Sequence, residues 1–469
     1  MKLNQAVARS VSPLRLALRI FALFLVIYLC TWGGHYTSGD GSIKVAWTKA
    51  MLGIPEAAGA QGGVYSKYGI GHSLLAIPPI AAAYWIQKTA HIRCEGALYT
   101  LMFIANGSLF LAMLGFYLAH FFSSSAVWRT VLICGLATIW WPYTKLDFSE
   151  PLVLTIGFLG FLLMRFGYPF WGMAIAGFTL AIRLDSIAFV APLALWFLFS
   201  NRSVRNAMLI AASLAPAVGL ILFANYIRYN SLLDRGYPDE GFSNPLLVGL
   251  YGILFSAGKS IVLFSPPLLL GALGWRKFTR RAEIRADGWL FLGICVFQIL
   301  LFAKWWDWSS DDAWGVRFLI PGVLLMCIPL VAILDRRLVV IPVVTAGVLV
   351  QLLAVTMGGL DYLMLIRAQP NYRRALYVDG RNRIDLSDIR FNPRYSQLVG
   401  NWILLRYAIG LPPGPGDQRL ELQTGTRLSD AIPAQAWEAA ARWDFIWSRR
   451  ARGAKEATVP SPQGSAPGF

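Results

Sequence analysis

The sequence predicts an all-α polytopic membrane protein, and its composition is the first observation behind that prediction. Of 469 residues, 56% are hydrophobic and 14% are charged, whereas soluble domains carry about 25% charged residues. The second observation is that apolar runs of near membrane-spanning length recur along the chain. The net charge is +17, and the basic residues lie in short runs between apolar stretches, as the positive-inside rule predicts. We therefore expect a lipid bilayer, and no nucleic acid, as a partner.

The first predicted span runs from Leu16 to Trp32. A basic segment precedes it and no small-x-small cleavage site follows, so we expect an uncleaved membrane helix rather than a signal peptide. Further spans are predicted from apolar runs bounded by charge, glycine or proline. They are 97–120, 127–142, 151–166, 169–183, 186–200, 207–226, 261–275, 288–303, 318–335 and 338–358. The expected bundle thus has about 11 transmembrane helices.

One further apolar stretch, 71–87, is short and contains two adjacent prolines, which remove helix hydrogen bonds. We predict that it does not cross the membrane and forms a re-entrant or interfacial helix. This choice places the basic loops at Arg129, Arg165 and 276–285 on one side, which the positive-inside rule makes cytoplasmic. The N-terminus is then cytoplasmic and the C-terminus lies outside.

With this topology, the unusual polar clusters fall on the outer side. The longest of these is a first outer loop, 33–70, which contains an amphipathic helix. We predict three parts: a transmembrane module at 1–358, a small outer-face region at 359–450, and a tail at 451–469. The tail is basic and then rich in Pro, Gly and Ser, a composition typical of disorder.

Three segments carry a resemblance to a known family. They read "SGDGSIKVAWTKAML", which contains Asp40, "GGVYSKYGIGHSLLAIPP", which contains Lys67, and "DFSEPLVL", which contains Glu150. An aspartate after helix 1, an amphipathic helix and a Tyr-x-Lys before a Pro-containing helix resemble the GT-C glycosyltransferases. The likeness is greatest to the branch of protein mannosyltransferases and aminoarabinose transferases (glycosyltransferase family 39-like) and covers about residues 14 to 200.

The resemblance implies a GT-C-like bundle in the cell inner (plasma) membrane, with its active site facing the periplasm or the exterior. It also implies inverting transfer of a sugar from a polyprenyl-phosphate donor to a lipid, glycan or protein acceptor. The chain departs from the family at Gly41, where the family often has Glu, and at Ser66, where it often has Glu before the lysine. Because these carboxylates are missing, the sequence indicates no metal site and no other cofactor, and it leaves a divalent metal open.

The chemistry of such a transfer selects candidate residues. A carboxylate must take the proton of the acceptor hydroxyl, and Asp40 is the candidate, with Asp147 and Glu150 as further catalytic candidates. Cations must lie where the departing phosphate gains charge. The candidates for this role are Lys67, Arg183 and Arg317. Other candidate substrate-binding residues are Tyr65, His72, Asp185, Lys259, Trp306 and Trp308.

Each candidate also has a purely structural interpretation. Asp40 fits a turn or a helix cap, Glu150 a helix N-terminus, Asp147 a solvated loop, and the pair Arg183 and Asp185 a structural ion pair. The tryptophans near 306 fit an interfacial belt. Two other classes of protein stay open: a transporter or flippase for a lipid-linked or anionic solute, and a non-catalytic scaffold. An O-antigen ligase or polymerase is disfavoured because its long loop lies late in the chain.

Overall fold

The computed structural model describes residues 12–55, 65–200, 202–234, 236, 240–310, 313–368, 387–411 and 434–450. Within these ranges the secondary structure is helical throughout and no strand occurs. The tail predicted at 451–469 lies outside the described residues. The helices of the first half are α1 Pro13–Cys30, α2 Gly39–Met51, α3 Ile70–Ala90, α4 Glu95–Leu118, α5 Ser124–Leu136, α6 Trp140–Tyr143, α7 Glu150–Arg165, α8 Pro169–Ile182, α9 Ile187–Ser200 and α10 Val204–Tyr229.

The second half continues the same all-helical pattern. Its helices are α11 Leu246–Phe255, α12 Ile261–Phe264, α13 Pro267–Thr279, α14 Arg285–Lys304, α15 Ile320–Cys327, α16 Arg337–Met357, α17 Asp361–Ala368, α18 Ser387–Phe391, α19 Gln397–Ala408, α20 Ala434–Ala440 and α21 Ile446–Arg450. Short 3-10 segments cover Leu184–Ser186, Ala282–Ile284, Arg317–Leu319, Ile328–Ile333 and Pro393–Tyr395.

Five helices in the described ranges are long and apolar enough to cross a membrane. They are Pro13–Cys30, Glu95–Leu118, Val204–Tyr229, Ala282–Lys304 and Arg337–Met357. The prediction of an all-α protein is confirmed for the described residues, and these five helices are compatible with a membrane protein. The count of about 11 spans stays a prediction, because other apolar helices have only 10–17 residues.

The second half departs from the predicted spans in detail. The predicted span 261–275 is divided into α12 and α13, because Ser265 and Pro266 interrupt the helix between them. An apolar helix that was not predicted, α11, precedes this pair. Its 10 residues extend about 15 Å, which is half the thickness of a bilayer core.

Helices α7 and α8 form an antiparallel hairpin that brings charged residues together at one end. Glu150 begins α7 and Arg183 directly follows α8, so their side chains meet, with Nη1 2.8 Å from Oε1. At the other end of the hairpin, Arg165 pairs with Asp287 at 3.0 Å. The two ends of the bundle therefore carry separate charged groups, and the candidate site lies at the end marked by Glu150.

Both ends of α3 lie at that same end of the bundle. A Cβ at Gly71 would press on the backbone of Ile182, so α3 begins against the end of α8. Only four residues separate α3 from Glu95, whose carboxylate accepts a hydrogen bond from Tyr36 in the first loop. A 21-residue helix is about 31 Å long, so α3 lies across this end of the bundle.

The two adjacent prolines of α3 have less effect on the helix than predicted. The two prolines do not shorten the helix, which is continuous over 21 residues. They fall within a helix whose neighbours α2, α4 and α8 hold it in place, and packing supplies the stability that lost hydrogen bonds remove. It stays a prediction that 71–87 does not cross a membrane. The prediction is favoured because both ends of α3 lie at the same end of the bundle.

The described parts of the C-terminal region pack on the bundle through a core of their own. Tyr362, Leu404 and Trp437 are buried in this second core. Helix α19 packs against α16 and α17. The described segment at 434–450 forms two short helices, α20 and α21.

Candidate functional site

Asp40 lies in the first turn of α2 and faces the charged end of the bundle. The helix cap is Ser38, whose hydroxyl accepts a hydrogen bond from the Gly41 amide at 3.0 Å, so Asp40 itself is neither a cap nor a turn residue. Tyr68 donates a hydrogen bond to Oδ1 at 2.6 Å, and Nη2 of Arg317 lies 3.4 Å from Oδ2. The Asp40 side chain is 24% exposed, so a ligand can reach it.

The electrostatic surroundings keep Asp40 ionised. Burial alone raises the pKa of this carboxyl, but the charges of Arg317 and Lys44 and the Tyr68 hydroxyl outweigh it and lower the pKa to about 2. At neutral pH the residue is therefore a carboxylate that can accept a hydrogen bond from a hydroxyl group.

Asp147 supports the start of α2. Its carboxylate is fully buried and accepts a hydrogen bond from the Thr37 hydroxyl at 2.7 Å. A Cβ at Gly41 would overlap this carboxylate, so only glycine lets α2 lie so close. Burial raises the pKa of Asp147 against the hydrogen bonds from Ser38 and Thr37. The interpretation as a solvated loop residue is wrong, and these contacts make Asp147 a positioning residue.

Glu150, Arg183 and Arg317 meet in the structure, so two of the three cations predicted to share a phosphate pocket, Arg183 and Arg317, lie together. Glu150 Oε1 lies 2.8 Å from Arg183 Nη1 and 3.3 Å from Arg317 Nε. Arg183 also binds Asp185, with Nε 2.9 Å from Oδ1. Together with Asp40, these side chains form a continuous charged row, Asp40–Arg317–Glu150–Arg183–Asp185, which we call the charged row.

Lys67 lies apart from the charged row. It pairs with Glu240 at 2.9 Å, and its side chain is 43% exposed. Its ammonium is 5.6 Å from the centroid of the Tyr68 ring, on the rim of the site. Tyr65 is also on this rim, 46% exposed, with its ring edge-on to Trp47.

Lys44 was not recognised in the sequence and belongs to the site. It stands one helical turn after Asp40, it is 1% exposed, and its ammonium lies 4.8 Å from the centroid of the Tyr68 ring. Burial lowers its pKa, although the carboxylates of Asp40, Glu150 and Asp147 act in the opposite direction. The spacing of four residues from Asp40 was the available signal, since such residues share one helix face.

His72 is buried and both of its ring nitrogens are in use. Nδ1 lies 2.7 Å from the Ser149 hydroxyl and Nε2 lies 2.8 Å from the Tyr99 hydroxyl. These contacts join α3 to the start of α7 and to α4, so His72 acts as a structural link. In the described part of the chain, no group of three or more His, Cys, Asp or Glu residues is arranged to hold a metal ion.

Lys259 and Trp308 are both buried. Lys259 is fully buried and donates hydrogen bonds to the carbonyls of Ala313 and Gly315 at 2.6 and 3.2 Å. Trp308 is 2% exposed and packs on α11. Both side chains hold the loop that leads to Arg317, and their selection as binding residues stays a prediction. Trp306 is partly exposed, and its indole nitrogen lies 3.4 Å from the Glu240 carboxylate.

A small crevice, in part open to the outside, lies beside the charged row. It is lined by Glu150, Val153, Arg183, Asp185, Ser186, Gln298, Phe302, Phe318 and Pro321. Glu150 Oε2 and Ser186 Oγ are buried and find no hydrogen-bond partner among the described residues. The charged row therefore retains an acceptor that a bound hydroxyl group or water molecule can use.

A second buried ion cluster ties the C-terminal region to the first loop. Lys145 Nζ lies 2.9 Å from the Asp444 carboxylate, whose other oxygen lies 2.9 Å from Nε2 of His35. The charges of Lys145 and His35 lower the pKa of Asp444 in spite of its burial. This cluster fixes the chain just before α2 and so helps to position Asp40.

Comparisons with protein-family models, with curated proteins and with solved structures each return no match to this chain. The geometry of the charged row and the motifs of the sequence therefore carry the functional inference by themselves.

Proposed function

We propose that this chain is a membrane glycosyltransferase that moves a sugar from a polyprenyl-phosphate donor to an acceptor hydroxyl. One observation supports it most: the charged row gathers residues from α2, α7, the end of α8 and the loop before α15 at one end of an apolar bundle. Charged side chains in such surroundings are costly and most often functional. A carboxylate beside cations is what transfer from a lipid phosphate requires.

In the proposed reaction, the oxygen of the acceptor hydroxyl attacks the anomeric carbon while the bond from that carbon to the phosphate oxygen breaks. Asp40 takes the hydroxyl proton, and the polyprenyl phosphate leaves with the electron pair of the broken bond. A weakly basic carboxylate suits this step, because the hydroxyl becomes strongly acidic as its oxygen bonds to carbon. Arg317 and Arg183 stabilise the charge that develops on the phosphate.

Attack opposite the leaving phosphate inverts the anomeric carbon. The acceptor approaches from the aqueous side past the exposed edge of Asp40, and the lipid tail remains among the apolar helices. The proposed steps use only side chains of this chain, and a divalent metal stays open.

The alternative is a transporter or flippase for a lipid-linked or anionic solute. Such a protein needs polar groups along a path through the bundle. In the described helices, ion pairs gather instead at the two ends, with Arg183 and Glu150 at one and Arg165 and Asp287 at the other. This separation favours chemistry at one face over transport.

The direct test uses the purified protein in proteoliposomes with radiolabelled polyprenyl-phosphate hexoses and pentoses. We expect release of free polyprenyl phosphate with transfer of the sugar to one class of acceptor. The matched control is Asp335→Asn, which removes a 71% exposed carboxylate at the opposite end of the bundle and should leave transfer unchanged. Movement of the intact donor between leaflets without cleavage would replace the transferase by the flippase.

The proposed location is the cell inner membrane, with the charged row facing the periplasm or the exterior. To test the orientation, the five native cysteines are replaced by alanine, and single cysteines are placed at the exposed positions 67 and 280. A membrane-impermeant thiol reagent should label position 67 in intact cells and leave 280 unlabelled. Labelling of 280 alone would reverse the orientation.

A further inference from the structure

Lys44 differs from the other buried lysines of the described chain. Three lysines are buried there, Lys44, Lys145 and Lys259. Lys145 is paired with Asp444, and Lys259 donates to two backbone carbonyls. The Lys44 ammonium, in contrast, makes no hydrogen bond and no ion pair with the described residues. It lies 4.8 Å from the centroid of the Tyr68 ring, and the carboxylates of Asp40, Glu150 and Asp147 act on it from farther away. Its three N–H donors are therefore open to an anionic ligand.

The surroundings of Lys44 suit an anion. Arg317 extends toward the same carboxylate, with Nη2 3.4 Å from Asp40, and its Nε makes no hydrogen bond within the described ranges. Lys44 and Arg317, which lie next to the proposed base Asp40, therefore both have N–H donors without a hydrogen-bond acceptor among the described residues. A phosphate group presents several acceptor oxygens and can use donors from both residues at once.

The backbone holds Lys44 firmly in this place. Its carbonyl accepts hydrogen bonds from Thr48 at 2.9 Å and from Ser73 of α3 at 3.0 Å. The Thr48 hydroxyl in turn lies 3.0 Å from the Ser73 carbonyl. These bonds fix α2 to α3 at this turn, so the backbone from which the buried Lys44 side chain extends is held in place.

We propose that Lys44, rather than Lys67, binds the phosphate group of a polyprenyl-phosphate ligand, together with Arg317. The identity of the ligand as a polyprenyl phosphate rests on the proposed function. It assigns to Lys67 a position on the rim, where Glu240 already neutralises it. Both ammonium groups lie near the Tyr68 ring, with Lys44 at 4.8 Å and Lys67 at 5.6 Å from its centroid.

The test measures binding of farnesyl monophosphate, a short polyprenyl phosphate, to the full chain in nanodiscs. Lys44→Met should weaken binding about tenfold or more, as expected for loss of one charge-assisted hydrogen bond. The matched control is Lys49→Met, on the same helix, where the lysine is paired with Glu95 at 2.9 Å. That variant and Lys67→Met should bind within about twofold of the unmodified protein, which is the spread of context-dependent effects at exposed pairs.

Two further probes separate the sources of the ligand. Farnesol, which has the tail without the phosphate, should bind weakly and equally to the unmodified protein and to Lys44→Met. Inorganic phosphate should compete only at far higher concentration. If it competes as well as farnesyl monophosphate, the site is one for free phosphate and the lipid assignment is wrong.

Unchanged affinity of Lys44→Met, or a larger loss in Lys67→Met, would overturn the proposal. Lys44→Gln is the second variant, and thermal unfolding is recorded for both. If neither variant folds, Lys44 is a structural counter-ion and the proposal fails. The binding assay uses a ligand without a sugar and is therefore independent of the transferase assay. If binding depends on Lys44 but the proteoliposome assay shows no sugar transfer, the phosphate site is retained and the proposed function is rejected.

Discussion

Replacing Asp40 by asparagine keeps the size of the side chain and removes its negative charge. The amide oxygen can still accept the hydrogen bond that Tyr68 donates at 2.6 Å in the native protein. The charges of Arg317 and Lys44 lower the pKa of Asp40 to about 2, against about 3.9 in the unfolded chain. Loss of this carboxylate should therefore lower the free energy of unfolding by about 1 to 3 kcal/mol. Arg317 keeps its contact with Glu150 at 3.3 Å.

The effect on sugar transfer should be much larger. Removal of a general base slows a reaction by about 10² to 10⁴-fold. Asp40→Asn should therefore lose most of its transfer rate in the proteoliposome assay, remain folded with a moderately lowered unfolding temperature, and still bind farnesyl monophosphate. The assay measures sugar transfer and donor cleavage in parallel, so an uncoupled hydrolysis is detected.

The pH profile provides an independent readout of the same residue. Because the pKa of Asp40 is lowered to about 2, the carboxylate stays ionised throughout pH 4–8, and Asp40 should introduce no acidic limb in that range. Stability depends on pH through the same carboxylate. Ionised Asp40 stabilises the fold above its unfolded pKa of about 3.9, and this contribution disappears as pH falls toward 2.

Transfer by Asp40→Asn at a near-normal rate would refute the role of Asp40. The base would then have to be Glu150, whose Oε2 has no partner among the described residues. Asp147 is the less suitable substitute, since its carboxylate accepts hydrogen bonds from Thr37 beneath α2.

Two further predictions concern the supports of the site. Lys145→Met should lower the free energy of unfolding by about 3 kcal/mol, because it leaves the buried Asp444 carboxylate without its lysine; an unchanged thermal unfolding curve would contradict this. Gly41→Ala should destabilise the protein and reduce transfer, since its Cβ would overlap the Asp147 carboxylate, whereas Gly39→Ala meets nothing within 4 Å and should be neutral or slightly stabilising. Equal effects of the two alanine substitutions would show that Asp147 does not constrain α2.

The C-terminal region shows why some supports were not predicted. The described segment at 434–450 was expected only to rest on the outer face, and Asp444 was not selected. The sequence around Asp444 does not indicate an ion-pair partner, because His35 lies 409 positions away. A salt bridge over such a distance exists only once both segments pack on the bundle.

The sequence by itself determined the class of the protein and the residues at which charge is out of place. Low charge content and long apolar runs indicate membrane helices, since backbone groups in lipid must be paired internally. Asp40, Glu150, Arg183 and Arg317 were identifiable because they interrupt or border apolar stretches, where ionisable groups are costly. These inferences depend on local composition, which a single sequence contains in full.

Only the tertiary structure decided which of these residues meet and which lysine faces them. Asp40 and Arg317 are 277 positions apart, and no periodicity relates them. Lys44 and Lys67 look alike as sequence, but α3 and Tyr68 enclose one and leave the other on the rim. Burial is set by the neighbours that pack around a side chain, so the sequence supplied the candidates and the packing of α2 on α3 selected among them.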